Sequence, residues 1–280
     1  MGFSADWLAL REPADRAARD SGLAQRACAL QPATPVIVDL GAGTGATRRA
    51  LDGLLPAAAR WHLLDNDPAL LDAAADEGGA QVRTQITDLN QIDALPLDDA
   101  TLVTASALFD LVSRDWLAAL IGRLRERDLP IYAALSYDGQ MTFEPALDRD
   151  LDVVAAFNGH QRGDKGFGPA LGPDAAREAA RLFQDAGFQV KLAESPWRLS
   201  PDQADLQREL MTGIAEAAAE AGCAAAEAWL AQRLDLLAEA SGYIGHVDLL
   251  ALPPSACDNP AAGAKSNESL SGRPEGTENA

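Results

Sequence analysis

Apolar residues recur along the chain in two alternating patterns, short continuous runs and longer stretches with helical spacing. The short runs predict buried strands at residues 35–40, 60–64, 81–86, 100–106, 130–136, 188–193 and 243–252. The helical spacing predicts helices at residues 5–30, 46–55, 68–75, 114–127 and 173–186, and a helical pair within 201–240 that breaks near Gly222. This alternation predicts an α/β fold with a doubly wound, mostly parallel, seven-stranded sheet and helical insertions.

The same pattern predicts how the chain is organised around one main domain. An N-terminal helical segment covers residues 1–30, and Pro13 allows a break within it. The domain covers residues 31–252 and contains a Gly-rich, charged cap loop at 138–172 and a helical insertion at 201–241. Residues 253–280 are rich in Pro, Gly, Ser and Asn without an apolar period, which predicts a disordered tail.

Composition narrows the class of protein. With 280 residues, 48% of them hydrophobic, the chain can bury a full core. A net charge of −19 opposes a nucleic-acid substrate, because a polyphosphate backbone would be repelled, although such a charge also serves solubility. Three unpaired cysteines, no basic and apolar leader, and no membrane-length apolar run favour a reducing cytoplasm without membrane contact.

A glycine-rich turn follows the first predicted strand. The segment reads Asp39-Leu-Gly41-Ala42-Gly43-Thr44-Gly45, and glycines at a strand-to-helix turn let backbone amides approach a ligand closely. The glycine spacing also satisfies the dinucleotide fingerprint, so it does not by itself separate nicotinamide cofactors from S-adenosylmethionine. The carboxylate of Asp39 would repel a pyrophosphate but attract an ammonium group, which favours S-adenosylmethionine.

With these residues, the segment 35–252 resembles the class I methyltransferases that depend on S-adenosylmethionine. Their first motif has an acidic residue two places before a G-x-G-x-G turn, as Asp39, Gly41, Gly43 and Gly45 stand here. The resemblance implies a Rossmann-like sheet, S-adenosylmethionine as cofactor and S-adenosylhomocysteine as product. It implies an enzyme that transfers a methyl group by in-line displacement to an acceptor, which we expect to be a small polar metabolite.

Acidic residues follow the next two predicted strands. Asp65 and Asn66 end the second strand, where a carboxylate can accept from both ribose hydroxyls; the alternative is that Asp65 and Asp67 cap the helix that starts at Pro68. After the third strand, the resemblance assigns Asp88 to the adenine amino group and Leu89 to the adenine ring. An ordinary turn aspartate remains the alternative for Asp88.

The fourth strand and the N-terminal helix offer residues that could line the acceptor site. The resemblance places Ser106 beside the methionine moiety and Phe109 beside the acceptor, although packing explains Phe109 equally well. Arg11 could bind a carboxylate of the cofactor or the acceptor, but an exposed arginine on a packing helix is the simpler interpretation.

The predicted cap supplies the candidates for catalysis. Tyr137 and Asp138 follow the fifth strand, and His160 lies in the same Gly-rich stretch. The hypothesis is that this segment closes over the acceptor, with His160 as general base and Arg162 or Lys165 pairing an acceptor anion. A solvated charged loop is the alternative for each of these residues.

Two other functions remain open at this stage. The glycine turn also suits a nicotinamide oxidoreductase, and a module that binds the cofactor without catalysis could use its Ala-rich helices as a partner surface.

The lack of an Asn/Asp-Pro-Pro-aromatic tetrapeptide after the fourth strand opposes methylation of exocyclic base amines in nucleic acid. His62 and His246 are interpreted as structural, no metal site is predicted, and homo-oligomer formation is left open.

Overall fold

The computed structural model describes residues 4–257. Its strands are β1 (Val36–Leu40), β2 (Arg60–Asp65), β3 (Val82–Ile86), β4 (Leu102–Ser106), β5 (Ile131–Glu144), β6 (Gln189–Glu194), β7 (Trp197–Leu199) and β8 (Ser241–Leu252). Its helices are α1 (Ala5–Ala18), α2 (Ser21–Ala29), α3 (Ala46–Leu51), α4 (Pro68–Gly78), α5 (Arg114–Glu126), α6 (Asp150–Gln161), α7 (Ala175–Asp185), α8 (Ala204–Glu220) and α9 (Ala226–Asp235). Over this part of the chain, no helix combines the length and the apolar character that a membrane span requires.

The strands form one mixed sheet in the order β3-β2-β1-β4-β5-β8-β6, with β7 paired to β8. Strands β1 to β5 are parallel, whereas β8 runs antiparallel to its neighbours β5, β6 and β7. The predicted doubly wound, mostly parallel sheet is therefore confirmed. Strand β7 adds an eighth strand, because its three residues are too few to show a periodic pattern. The order reverses between β1 and β4, which is where such sheets bind ligands.

The first strand shows why short apolar runs predicted this sheet. Ile37 packs into the hydrophobic cluster on one face, whereas Val38 and Leu40 pack into the cluster on the other face. All three side chains are fully buried. Helices cover both faces of a parallel sheet, so its strands are apolar at consecutive positions and not only at alternate ones.

A third hydrophobic cluster lies where β5 extends beyond the parallel sheet. It joins α1, α6, α8 and α9 around the side chains of Phe143, Trp197, Ile214 and Trp229. Arg233 of α9 is fully buried there, pairs with the carboxylate of Asp150 at the start of α6, and donates to the carbonyl of Pro145 at 2.6 Å. This paired charge fixes α6 against α9, and thereby fixes the position of the last turn of α6.

The segment 138–172 is not the cap loop that its composition predicts. Strand β5 continues to Glu144 because it pairs with β8 along its length, with Phe143 opposite Gly242. Helix α6 follows, since Val153 and Val154 pack into the third cluster. Two parts of the segment are irregular: residues 145–149 connect β5 to α6, and residues 162–171 connect α6 to the short turn Gly172–Asp174. Many of the charged and glycine residues of this segment therefore belong to β5 and α6 and not to a loop.

Two further boundaries differ from the predictions. Helix α1 continues through Pro13, and the break before α2 falls at Asp20, whose side chain caps α2 by accepting from the amide of Leu23 at 2.7 Å. The predicted disordered tail begins with a described 3₁₀ turn, Pro254–Cys257. The rest of that tail, residues 258–280, lies outside the described residues. The predicted helical pair is confirmed, with Gly222 between α8 and α9.

Candidate functional site

A cavity of about 330 Å³ opens at the carboxyl edge of the parallel strands. The turns after β1, β2, β3 and β4 all contribute to its wall, and the loop 162–171 and helix α1 cover it from above. Four of the predicted segments therefore meet at one site, because parallel strands place their carboxyl ends at one edge of a sheet. Its volume suits a ligand the size of a single nucleoside derivative.

The glycine turn forms the floor of this cavity. Gly41 and Gly43 line it and have positive φ angles of 67° and 53°, which favour glycine. A Cβ atom on Gly43 would lie 3.0 Å from Cδ1 of Leu8 on α1, so a side chain there would also fill the space above the turn. Ala42 is buried, and its amide donates to the carbonyl of Leu64 at 3.0 Å. Thus the two cavity glycines present bare backbone.

The other two residues of the turn face away from the cavity wall. The carbonyl of Thr44 accepts from Nη1 of Arg49 at 2.6 Å, which ties the turn to α3. Gly45 has a φ angle of 85° and starts α3. Their predicted cofactor contacts are corrected to a structural role, since Thr44 and Gly45 shape the turn from behind.

Asp39 lies beneath the glycine turn, fully buried, and does not line the cavity. Its Oδ1 atom accepts from Oγ1 of Thr104 at 2.7 Å, and its Oδ2 atom has no partner among the described residues. Burial raises the pKa of this carboxyl to about 7, against the opposing effects of the Thr104 hydrogen bond and the Arg19 charge. Asp39 was expected to attract an ammonium group directly or through water, and its burial beneath the turn disfavours the direct contact.

The end of β2 presents Asp65 and Asn66 to the cavity. Oδ2 of Asp65 accepts from the amide of Gly43 at 2.8 Å, and Oδ1 accepts from the amide of Asp67 at 3.0 Å. Asp67 caps α4, because its Oδ1 atom accepts from the amide of Ala69 at 2.8 Å. The capping interpretation thus holds for Asp67, whereas Asp65 bridges two turns of the cavity wall.

The turn after β3 lines the far end of the cavity with Asp88, Leu89 and Asn90. Asp88 is exposed, and its Oδ1 atom accepts from the amide of Asn90 at 3.0 Å, so it also forms the ordinary turn that was the alternative for it. The side chain of Leu89 is buried, and its carbonyl accepts from Nε1 of Trp116 at 2.8 Å. The contact with Trp116 holds this turn in place.

The end of β4 lines the opposite end through Ser106, Ala107, Leu108 and Leu111. Oγ of Ser106 accepts from Nη2 of Arg19 at 2.7 Å. The Nε and Nη1 groups of Arg19 are enclosed and have no partner among the described residues. Sequence reasoning missed Arg19, since an arginine at the end of an amphipathic helix carries no motif.

Asp110 is a second residue of this segment that the sequence did not single out. Its Oδ1 atom is enclosed and lacks a partner within the described chain, and burial raises the pKa of its carboxyl to about 6. The amide of Tyr137 and the charge of Arg11 oppose that rise. Its position just after β4, between the cavity residues Leu108 and Leu111, was the only signal available in the sequence.

Arg11 of α1 lines the cavity beside Leu8, as proposed for a binding residue. Its Nε and Nη2 groups bind the carboxylate of Asp15 at 2.9 and 3.1 Å. Its guanidinium lies 5.0 Å from the ring centroid of Trp197. Because these contacts already satisfy most of its charge, Arg11 forms part of the wall and is poorly suited to be the main anchor for an anion.

No protein-family profile matches the chain, and no curated protein matches it. Among solved structures, YcgJ from Bacillus subtilis is similar with a TM-score of 0.52 and 14% identity, over 83% of this chain and 97% of YcgJ. BH2331 from Bacillus halodurans C-125, a provisionally assigned methyltransferase, is similar with a TM-score of 0.50 and 14% identity, over 84% of this chain and 98% of BH2331. A third similar structure is geranyl diphosphate C-methyltransferase from Streptomyces coelicolor A3(2), solved with S-adenosyl-L-homocysteine. Its TM-score is 0.45 and its identity 13%, over 80% of this chain and 72% of that enzyme.

At such low identities the likeness concerns the fold. The chain has the Rossmann-like methyltransferase fold. Within this methyltransferase fold, the cavity occupies the carboxyl edge beside β1 and β4, where the strand order reverses.

The predicted catalytic residues of the cap do not reach this cavity. The hydroxyl of Tyr137 donates to Oδ1 of Asn158 at 2.7 Å, and burial raises the pKa of that hydroxyl well above its usual range. Asp138 turns back on its own strand, where its carboxylate accepts from the amide and the side chain of Gln140, each at 2.9 Å. Neither is placed to act as a base, because β5 continues through both positions as a strand.

Helix α6 also moves the other cap candidates away from the wall. His160 lies in its last turn and pairs with Glu220 of α8. Arg162 binds the carboxylate of Asp174 at 3.1 Å and the carbonyl of Asn158 at 3.0 Å. Of the predicted basic residues Arg162 and Lys165, only Lys165 lines the cavity. Its loop is tied to the turn after β3, because Nδ2 of Asn90 donates to the carbonyl of Gly166.

Three remaining predictions concern packing residues. Phe109 is buried and stacks on Phe183 with ring centroids 6.5 Å apart, which makes it core and corrects its proposed acceptor contact. His62 contacts Gln85 at 3.1 Å within the sheet, as expected of a structural residue. His246 is opposite Tyr137 on β8, and its ring packs against the rings of Tyr137 and Trp197, with centroid distances of 6.2 and 5.3 Å. Across residues 4–257, the described His, Cys, Asp and Glu side chains form no group that could hold a metal ion.

Proposed function

We propose that the protein is a methyltransferase that transfers the methyl group of S-adenosylmethionine to a small polar metabolite. The observation that carries this proposal is that one cavity joins the turns after four successive parallel strands. Those turns offer the bare backbone of Gly41 and Gly43, the carboxylates of three aspartates and the hydroxyl of Ser106, which suit a nucleoside with an amino-acid tail. S-adenosylmethionine, when bound, supplies a methyl group on a positively charged sulfur.

The cavity wall fits such a cofactor better than a dinucleotide. Asp65, Asp67 and Asp88 all line the cavity, so a pyrophosphate would meet three carboxylates. The same carboxylates suit hydroxyl and amino donors of a nucleoside, since an ionised carboxylate only accepts hydrogen bonds. The space above Gly43, which a Cβ atom would fill, lets a nucleoside approach the backbone.

Enclosed groups without partners support a position for the amino-acid tail beside Ser106. Arg19 contacts Ser106 through one N–H group, and its Nε and Nη1 groups have no partner in the described chain. Arg19 does not itself line the cavity, but its contact with Ser106 brings its guanidinium next to the wall. We infer that a carboxylate bound beside Ser106 accepts from it, because guanidinium groups bind carboxylates through paired donors. We assign this end of the cavity to the tail of the cofactor, and the space between α1 and Leu111 to the methyl acceptor.

The acceptor end combines apolar walls with one nearby carboxylate, that of Asp110, which adjoins the lining residue Leu111 in the chain but does not itself line the cavity. Leu8, Leu108 and Leu111 exclude water there, and alignment of the two reactants can supply much of the catalysis. An acceptor that must lose a proton needs a base, and Asp110 is the carboxylate in this segment whose pKa is raised toward neutrality. The net charge of −19 and the size of the cavity both favour a small acceptor over nucleic acid.

Calorimetric titration with S-adenosylhomocysteine and with NADH tests the cofactor. We expect heat of binding with S-adenosylhomocysteine and none with NADH. Binding of NADH without binding of S-adenosylhomocysteine would overturn the proposal and support a nicotinamide oxidoreductase.

Catalysis requires a separate experiment. The purified protein is incubated with S-adenosylmethionine carrying a labelled methyl group and with fractionated metabolite extracts. Label that moves into a small molecule supports the proposed reaction. Binding of the cofactor with no labelled product across all fractions would favour a binding module without catalysis.

A further inference from the structure

Three side chains from different elements form a connected chain that ends at the cavity. Oε2 of Glu220, in the last turn of α8, lies 2.9 Å from Nε2 of His160, at the end of α6. Nδ1 of His160 lies 3.1 Å from Nζ of Lys165, which lines the cavity. The glutamate and the histidine therefore act on the cavity only through the lysine.

The chemistry of the three groups fixes the direction of the hydrogen bonds. An ammonium group only donates, so Nδ1 of His160 accepts from Lys165. The ring proton is then on Nε2 and is donated to the carboxylate of Glu220. Nζ of Lys165 retains two further N–H groups for a ligand. Partial burial lowers the pKa of this lysine, and the charge of Glu220 opposes that effect.

The surroundings of Lys165 are built as a slot. Nδ2 of Asn90 donates to the carbonyl of Gly166 at 3.0 Å, which ties the lysine loop to the turn after β3. Phe167 packs edge-on against Trp116, with ring centroids 5.6 Å apart, and Trp116 in turn holds the carbonyl of Leu89. Leu89 and Phe167 thus provide apolar cavity walls, and Asp88 and Lys165 contribute an acceptor and a donor to the same cavity.

This pairing matches one nucleobase edge. The amino edge of adenine carries a donor amino group next to acceptor ring nitrogens, whereas guanine and hypoxanthine present a carbonyl oxygen at that position. A carboxylate beside an ammonium group complements the adenine pattern, and a carbonyl oxygen would face the carboxylate unfavourably.

We propose that Lys165 is a specificity residue of the cofactor site, donating a hydrogen bond to an adenine ring nitrogen beside the amino group that Asp88 accepts from. His160 and Glu220 are positioning residues, because they hold the ammonium group of Lys165 over the slot without touching the ligand. This inference rests on the proposed function, since it takes the ligand to be an adenine nucleoside. The proposal places the role of His160 at the adenine end of the cavity, away from the methyl acceptor.

The first test compares ligands on the unaltered protein. Calorimetry measures dissociation constants for S-adenosylhomocysteine and for its 1-deaza and 7-deaza analogues, each of which lacks one ring nitrogen. We expect one analogue to bind about tenfold more weakly or worse, because a hydrogen bond from a charged group is lost. Equal affinity for all three compounds would overturn the proposal while leaving the proposed function intact. No binding of any compound would overturn both.

The second test uses variants of the chain of three residues. Lys165→Met should weaken binding of S-adenosylhomocysteine by a similar factor and should bind the sensitive analogue as well as the parent compound. His160→Ala should weaken binding in the native background, but not further in a Lys165→Met background, because it acts through the lysine. Independent losses that add in the double variant would instead show a general structural role for His160.

A matched pair of glutamates on α8 provides the control. Glu220→Ala should weaken binding, whereas Glu216→Ala, one turn earlier and exposed, should bind S-adenosylhomocysteine like the unaltered protein. Thermal unfolding of each variant confirms that the helices are intact. Equal behaviour of the two glutamate variants would remove Glu220 from the positioning chain.

Discussion

The amide of Gly43 donates to Oδ2 of Asp65 at 2.8 Å, which joins the turn after β1 to the end of β2. The same carboxylate accepts from the amide of Asp67 through its other oxygen. Asp65 therefore does two things in the fold: it shapes the floor of the cavity and presents a negative charge to it. A ribose would have to share or replace the bond from Gly43.

Asp65→Ala should weaken binding of S-adenosylhomocysteine about tenfold or more, because charge-assisted hydrogen bonds are lost and the Gly43 turn loses its partner. Calorimetry measures the change. Asp72→Ala, at an exposed position of the following helix α4, is the matched control and should leave affinity unchanged. Unaltered affinity in Asp65→Ala would show that the ribose lies elsewhere.

Gly43→Ala tests whether the cavity needs bare backbone. The positive φ angle should cost about 1 kcal/mol of stability, and the new methyl group should contact Leu8 and block the ligand. Gly53→Ala is the matched control, because Gly53 also has a positive φ angle, 78°, but has nothing within 4 Å of the position where a Cβ atom would lie. Both variants should lose similar stability by thermal unfolding, and only Gly43→Ala should lose S-adenosylhomocysteine binding. Equal binding by the two would contradict the role of this turn.

Arg19→Met should weaken binding of S-adenosylhomocysteine about tenfold or more but leave adenosine affinity unchanged, since adenosine lacks the amino-acid tail. Calorimetry with both ligands separates the loss of a tail contact from a general defect. Arg16→Met, on the exposed face of the same helix, should affect neither ligand. A parallel loss for adenosine and S-adenosylhomocysteine would remove Arg19 from the tail site.

The parallel part of the fold could be predicted because its strands are buried on both faces. Val36, Ile37 and Val38 are apolar at consecutive positions, and the glycine turn marks where the first strand ends. Strand topology then brought Gly43, Asp65 and Asp88 to one cavity without any further information. Local pattern and topology agreed, so this side of the site was accessible from the sequence.

The other side of the site depends on long-range packing that no local pattern records. The second half of β5 is regular because β8 pairs with it, and β8 begins more than 90 residues later in the chain. Helix α6 is buried by α8 and α9, which also come later. Without those partners, the Gly-rich and charged segment around His160 is typical of a loop, and the sequence therefore predicts a cap loop where α6 forms and where His160 pairs with Glu220.

Asp39 should make stability depend on pH. Its folded pKa of about 7 lies above the ordinary value, so the folded state binds the proton more tightly than the unfolded chain does. The free energy of unfolding therefore falls as pH rises from about 4 to about 7, by a few kcal/mol at most. Asp39→Asn keeps an acceptor for Thr104 and removes the charge.

Denaturant titration of the protein and of Asp39→Asn between pH 4 and pH 8 measures this effect. The variant should gain stability relative to the native protein as pH rises, and the difference should level off above about pH 7. Asp72→Asn, at an exposed position on α4, controls for the loss of a surface carboxylate. A constant difference for Asp39→Asn would show that its carboxyl titrates normally.

Asp110 should control the rate of methyl transfer without controlling cofactor affinity. Its pKa of about 6 predicts that turnover rises as pH increases through that value, because only the carboxylate form accepts a proton. Asp110→Asn should bind S-adenosylhomocysteine normally, lose turnover by a factor of about 100 or more, and lose the dependence on pH near 6. Single-turnover rates with labelled S-adenosylmethionine test this, with Asp115→Asn on the exposed face of α5 as control. A variant that keeps its turnover would mean that the acceptor reaches the methyl group already deprotonated, or reacts without losing a proton, and alignment alone would then carry the reaction.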